Sequence, residues 1–292
     1  MLKIALITNF NISEKANAAL LVANRLLQRE CQILIAAFNR EKLMRMHKNR
    51  EEFCYLPIES VYAEADVIIV LGGDGTILET ARRAAQRGTP ILGINLGRLG
   101  YMAELELNEL ELLDALFTGE YRLEERSMLR VELLSAGGEL RSFCHALNDA
   151  VISNGSMPRM ITLELLESGE SVTVYRADGL IVATPTGSTA YSMSAGGAIV
   201  DPRTPCVCVT PICPHSFVAR PLIFSDDSTL EIRNICTREK QLYLTVDGRL
   251  NFEFYPNQLV RVTKSSMTTR LIRIKKCGFF RKLRQKMTDP KA

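Results

Sequence analysis

Asp66-Val67-Ile68-Ile69-Val70-Leu71-Gly72-Gly73-Asp74-Gly75-Thr76 decides the fold. After Asp66 the run is continuously apolar, as in a strand buried on both faces of a parallel sheet. The glycines on either side of Asp74 then let the backbone turn sharply and approach a ligand closely. A helical pattern follows from Thr76 to Arg87, and Gly88 stops it.

The same alternation extends outward. Lys3 to Thr8 reads as a first buried strand. Ser13 reads as the N-cap of a helix running to about Glu30, with Ala19, Leu20, Ala23, Leu26 and Leu27 at helical spacing. Gln32 to Phe38 and Pro90 to Asn95 return to strand, and Asn108 to Gly119 reads as one more helix. Strand alternating with helix predicts a parallel sheet with crossover helices, a Rossmann-like α/β domain. From Leu129 to about Val262 the pattern changes to short alternating strands. Gly137-Gly138 and Glu167-Ser168-Gly169-Glu170 are turns between them. This half is β-rich and sandwich-like. A boundary between Arg122 and Ser127 divides the chain into 1–125, 126–265 and a tail, 266–292. In the tail, Leu271 to Ile274 reads as a strand. Phe279, Phe280, Leu283 and Met287 line one face of a short helix, with Arg281, Lys282, Arg284 and Lys286 on the other. That apolar face is expected to pack on its own protein rather than on a membrane.

Composition narrows the function classes. Of 292 residues 47% are hydrophobic and 24% charged, which marks a folded chain rather than a disordered one. A net charge of +3 is too small to argue for nucleic acid, and the absence of tryptophan argues against a base-stacking surface. No apolar run approaches the roughly 20 residues of a membrane helix. Asn9 and Asn11 interrupt the N-terminal apolar stretch, so no signal peptide is expected. Eight scattered cysteines then read as reduced thiols of a cytoplasmic protein.

Four segments carry chemistry. The loop Gly72 to Thr76 runs into a helix N-terminus, which suits an anion and above all a polyphosphate. Asp74 is out of place if phosphate binding is its one task, since like charges repel. It reads as a base for an attacking hydroxyl or as a metal contact, and the alternative is a plain N-cap. The second segment, Asp178 to Gly197, is dense in hydroxyls and small residues. It either lines a polar ligand, with Tyr191 offering a flat face, or is a serine- and threonine-rich loop. Asn148-Asp149, at a strand end, suits the two hydroxyls of a ribose, although a cap or turn explains the pair as well. Near Thr210 to His215, Cys206 and Cys208 point to one face of a strand. No second cysteine pair completes a ligand set, so no metal-thiolate site is expected.

Together these segments resemble the NAD kinase family. The matching pieces come in the family's order: Gly72 to Thr76, Asn95-Leu96-Gly97 with Leu99-Gly100-Tyr101, Asn148-Asp149, Asp178 to Gly197, Thr210 to His215 with Arg220-Pro221, and Asp247-Gly248. The loop around Asp74 is shared with diacylglycerol kinases, whereas the long segment from Asp178 is much more specific to NAD kinases. The resemblance implies that ATP phosphorylates the 2′-hydroxyl of the adenosine ribose of NAD, giving NADP, with a divalent cation, usually magnesium. It implies an N-terminal α/β domain, a β-rich NAD-binding domain, a tail that returns to the first domain, and a homodimer or homotetramer.

By the same resemblance Asp74 matches the proton acceptor, and Gly72, Gly73 and Thr76 the ATP-phosphate loop. Gly75, Asn148, Asp149, Arg159, Arg176 and Asp178 match dinucleotide contacts. Thr189, Ala190, Tyr191, Ser192, Met193 and Ser194 match the run that wraps the dinucleotide. Three positions depart from the family. Asp149 stands where glutamate is usual, Cys213 where a small residue is usual, and Arg249 where glutamine is usual. Arg249 is expected to add positive charge near the ligand. The competing expectations are a lipid kinase of the diacylglycerol type and a non-catalytic dinucleotide sensor.

Overall fold

The computed structural model describes residues 1–46, 51–97, 100–155, 160–216, 219–236 and 241–288. The chain forms two compact units, Met1–Glu125 with Thr269–Ala292, and Arg126–Thr268.

In the first unit parallel strands run in the order Phe53–Leu56, Cys31–Ala36, Leu2–Ile7, Val67–Leu71, Ile91–Asn95. All five residues of Val67–Leu71 are buried, as an apolar run covered on both faces requires. The chain builds outward from Leu2–Ile7 in one direction and then returns to add Val67–Leu71 on its other side. Ligands of such sheets collect outside the carboxyl ends of the strands at this reversal. The Thr8 hydroxyl marks the place by donating to the Leu71 carbonyl at 2.8 Å. The glycine loop leaves the sheet here.

Three local expectations need correction. Ser13 is the first residue of the helix Ser13–Leu26 and not its N-cap; Ile12 holds that position without a side-chain cap. The lead-in turn is made upstream instead, where the Asn9 side chain accepts the Asn11 amide at 3.0 Å and the Asn9 carbonyl accepts the Ile12 amide at 3.1 Å. The helix expected over Asn108 to Gly119 is a 3-10 segment, Leu107–Asp114, followed by a single α-turn, Ala115–Thr118. Glu109 breaks the helical backbone there, and its carboxylate is held by the Glu106 amide and by Lys275. The tail helix, Phe279–Thr288, buries none of its residues; Phe280 is 60% and Met287 68% exposed. Phe279 and Leu283 are half-buried, and beside them the Lys282 ammonium reaches inward to pair with the buried Glu104 carboxylate.

The second unit is a sandwich of two antiparallel sheets. One runs Leu222–Ser225, Cys206–Ile212, Gly179–Ala183, Asp149–Ser153, Leu242–Val246, Leu250–Phe254. The other contains Glu170–Ala177, Ile161–Glu167 and Leu230–Asn234. Val131, Leu163, Ile232 and Val260 share one apolar cluster with Ile152, Leu180, Val209 and Leu244 of the facing sheet. Ser168 and Gly169 both have positive φ, 51° and 86°, the backbone that a tight hairpin requires.

Candidate functional site

Asp74 opens the helix Asp74–Ala84, and Gly73 is the N-cap. The Asp74 carboxylate does not cap its own helix. It accepts the Tyr101 amide at 2.9 Å and the Met102 amide at 3.1 Å, both from the segment after the neighbouring strand. A Cβ at Gly100 would collide with this carboxylate, so the close approach depends on glycine there. Gly73 and Gly75 are exposed, and Asp74 is half-buried between them. The arrangement is a helix N-terminus with an oriented carboxylate at the sheet's reversal point. It can bind phosphate oxygens and accept a proton beside them.

In the second unit, Asn148 and Asp149 stand where the chain enters the strand Asp149–Ser153, and both are buried. Their placement rests on Asp247. Its carboxylate accepts three successive amides, Leu147 at 2.9 Å, Asn148 at 2.8 Å and Asp149 at 3.1 Å. The Asp247 amide donates back to the Asp149 carbonyl at 3.0 Å. Asp247 has φ 49° and Gly248 φ 66°, in the turn that joins Leu242–Val246 to Leu250–Phe254. Burial, and then the charge of Asp247, push the Asp149 carboxyl up to about 7. The Asn148 side-chain oxygen is buried without a donor. An unsatisfied buried acceptor costs about 1–3 kcal/mol, so this one invites a ligand donor. Asn148 and Asp149 line a cavity of about 440 Å³ together with Val151, Ser153, Ala190, Tyr191, Thr245, Asp247 and Gly248.

The hydroxyl-rich segment divides into two roles. Thr184 donates to the Leu147 carbonyl at 2.6 Å and accepts the Gly187 amide at 3.0 Å. Gly187 sits so tightly on the Asn148 backbone that a Cβ would overlap it. Ser188 donates to the Pro185 carbonyl and accepts the Val200 amide. Thr189 donates to the Thr186 carbonyl at 3.2 Å, and Ser192 pairs with Thr210 at 2.9 Å. These buried hydroxyls fold the loop, and Thr184 and Gly187 seat it against Leu147 and Asn148, which lead into the strand Asp149–Ser153. Ala190 and Tyr191 reach the cavity, and Tyr191 is 47% exposed. Met193 and Ser194 follow on the short helix Tyr191–Ser194, outside the cavity lining.

Arg176 is exposed at the end of Glu170–Ala177, and its carbonyl accepts the His215 amide at 2.9 Å. The Asp178 amide donates to the Ile212 carbonyl at 2.9 Å. Arg249 is exposed one residue beyond Gly248. None of the three lines the cavity. Arg159 and Leu99 lie outside the described residues. Cys206 and Cys208 are buried neighbours in Cys206–Ile212, Cys213 is exposed with φ 45°, and all eight cysteines are free thiols. No helix among the described residues is long and apolar enough to cross a membrane.

Tyr101 and Asp247 lie in segments that resemble the family but carry no role in the sequence expectations, and Met102, Ser153 and Thr245 have none either. Asp247-Gly248 carries a signal that was available, since an Asp-Gly pair between two alternating strands marks a hairpin turn. Backbone amides such as those of Tyr101 and Met102 leave no trace in residue type.

Residues 4–121 match the family model of the ATP-NAD kinase N-terminal domain, and residues 147–274 that of the ATP-NAD kinase C-terminal domain. An NAD kinase of Heliobacterium modesticaldum is 46% identical over 225 residues, 77% of this chain and 79% of the relative. One of Symbiobacterium thermophilum is 45% identical over 233 residues, 80% and 82% of the two chains. Yeast NADH kinase complexed with NADH shares the fold at a TM-score of 0.89 and 24% identity, over 100% of this chain and 89% of that one. An NAD kinase from Archaeoglobus fulgidus in complex with ATP matches at a TM-score of 0.71 and 26% identity, over 97% of each.

Proposed function

Because the chain belongs to the NAD kinase family, we propose that Asp74 is the base that takes the proton from the 2′-hydroxyl of the adenosine ribose. The enzyme is a phosphotransferase that uses ATP to phosphorylate NAD, giving NADP. One observation supports the role of Asp74 above others: its carboxylate, half-buried at a phosphate-binding helix start, is turned away from capping and fixed by two amides.

Phosphoryl transfer needs alignment and charge neutralisation more than covalent help. The glycine loop and the N-terminus of the helix Asp74–Ala84 hold the ATP phosphates. The donor set fits a magnesium ion that arrives on ATP. Asp74 offers one hard oxygen donor, and no group of three or more acidic, histidine or cysteine side chains gathers among the described residues. A magnesium ion held there would supply neutralisation of charge on the transferring phosphoryl group.

Asn148 and Asp149 take the adenosine of NAD in the cavity of the second unit. The unpaired Asn148 oxygen receives a hydroxyl or amine donor, and the Asp149 carboxylate accepts ribose hydroxyls. Tyr191 gives a flat face beside them. Gly75, Arg159, Arg176, Asp178, Thr189 to Ser194 and Arg249 complete the dinucleotide contacts by family resemblance, and the buried hydroxyls of Thr189 and Ser192 act through the loop they fold. The working form is a cytoplasmic homodimer or homotetramer.

The test is to incubate the purified protein with NAD, ATP and Mg²⁺ and to measure NADP. Asp74→Asn is expected to lower turnover by ~10²–10⁴-fold with NAD affinity nearly unchanged. Near-normal turnover in that variant would remove Asp74 from the role.

A further inference from the structure

The segment that holds Asp74 is itself held by the C-terminal tail. Arg273 donates to the Met102 carbonyl at 2.8 Å. Lys282, on the helix Phe279–Thr288, donates to the Ala103 carbonyl at 2.9 Å. Lys286, one turn further, places its ammonium 3.9 Å from the centre of the Tyr101 ring. Three cations of the tail thus grip three successive residues, and the amides of the first two are those that hold the Asp74 carboxylate. All of these residues belong to the first unit.

The grip has an anchor. Glu104, whose side chain is 1% exposed, accepts the Ile274 amide at 3.0 Å and the Lys275 amide at 2.7 Å, and pairs with Arg273 and Lys282. One buried carboxylate therefore fixes the tail backbone and both cations beside the segment they restrain. No residue of the helix is fully buried, and Phe279 and Leu283 are half-buried. Its docking is directional, through charged donors on carbonyls and over a ring, which fixes peptide orientation in a way that apolar contact does not. The Met102 amide and the Met102 carbonyl lie in adjacent peptide planes that share one Cα. Fixing the second restrains the first.

We infer that the C-terminal helix is a positioning element for Asp74, with Lys282 as its principal positioning residue and Lys286 as its second. This rests on the reading of Asp74 as the base. The helix touches neither reacting atom; it acts by holding Tyr101 to Ala103 in the conformation that orients the carboxylate. A small misplacement of a reacting group costs up to about 10²-fold in rate, so partial loosening is expected to cost about tenfold.

The experiment uses the full chain with Lys282→Met, which keeps the stem and removes the charge, Lys282→Arg, and Lys286→Ala. Steady-state NADP formation and amide hydrogen exchange at Tyr101 and Met102 are read together, with the strand Val67–Leu71 as internal control. For Lys282→Met the expected result is about a tenfold loss of kcat with KM for NAD and ATP within about twofold. Exchange should accelerate at Tyr101 and Met102 and stay unchanged in the control strand. Lys282→Arg should restore most of kcat, and Lys286→Ala should give a smaller effect of the same kind. If Lys282→Met proves unstable, Lys286→Ala carries the test, because its contact lies on the rim of the grip. Unchanged exchange at both amides overturns the inference. So does accelerated exchange with unchanged kcat while Asp74→Asn is inactive, an outcome that leaves the base reading intact. An active Asp74→Asn defeats the base reading instead, and the exchange data still report the grip.

Discussion

Asp74 opens a helix just after one buried strand and Asp149 opens another buried strand, and the protein treats the two aspartates in opposite ways. Asp74 is half-buried, and two amides of a neighbouring segment aim donors at its oxygens. Asp149 is buried with the Asp247 carboxylate as its charged neighbour, and its carboxyl is raised to about 7. At Asp149 the amide donors go to Asp247 instead, which uses them to shape the backbone. The difference teaches what each is built for. An oriented carboxylate can serve a reaction at once. A buried one without donors is incomplete until a ligand brings hydroxyls.

The largest expected effect breaks the comparison at Asp74. Loss of its charge in Asp74→Asn should lower turnover by ~10²–10⁴-fold, against little change in NAD binding measured by titration. The reverse split, weakened binding with preserved turnover, would place Asp74 in the same class as Asp149.

The next effect is the pH dependence of Asp149. Its ordinary value is 3.8 and the folded value about 7, so between about pH 4 and 7 the folded chain holds a proton that the unfolded chain does not. Stability therefore falls as pH rises through that window and levels off above it, by on the order of 4 kcal/mol in this contribution. Chemical denaturation at several pH values should show this slope in the wild type and lose it in Asp149→Asn. NAD affinity should run the other way and rise toward pH 7, because ribose hydroxyls bind the ionised form. A flat affinity profile would count against the ribose contact.

What the sequence made legible follows from the range of the forces involved. Val67–Leu71 could be read because burial on both faces demands an apolar residue at every position. The hairpin turn at Ser168 and Gly169 could be read because positive φ restricts residue choice. The return of the tail to the first unit is as expected, but the inward turn of Lys282 could not be read, since the stripe of Phe279, Phe280, Leu283 and Met287 satisfies a helical pattern and Glu104 lies far back in the chain. Its need for a cation turns Lys282 inward and leaves Phe280 and Met287 in water. The hydroxyls of Asp178 to Gly197 announced polarity without direction. Ser188, Thr189 and Ser192 bond to the protein itself, and residue type alone does not separate that use from ligand binding.

A smaller effect sharpens the orientation of Asp74. In Gly100→Ala the new Cβ overlaps the carboxylate and must displace it. Turnover is expected to fall by about 10²-fold with binding of NAD retained. Near wild-type turnover would mean that orientation by Tyr101 and Met102 matters little, and that Asp74 needs only to be present.

The smallest effect tests the link between Asp149 and Asp247. In Asp247→Asn the side chain keeps its shape but loses one acceptor. Its amide nitrogen then faces at least one of the Leu147, Asn148 and Asp149 amides, and that donor is left unmatched. An unmatched buried donor costs about 1–3 kcal/mol, which a thermal melt should register as a lower Tm. The same change removes the negative charge beside Asp149, so the Asp149 carboxyl should move down toward its ordinary value. The rise of NAD affinity with pH should shift to lower pH by the same displacement. A lower Tm with an unmoved affinity profile would show that Asp247 only shapes the backbone and that burial alone raises Asp149. A moved profile would show that one carboxylate both builds the pocket and sets the proton affinity of the group inside it.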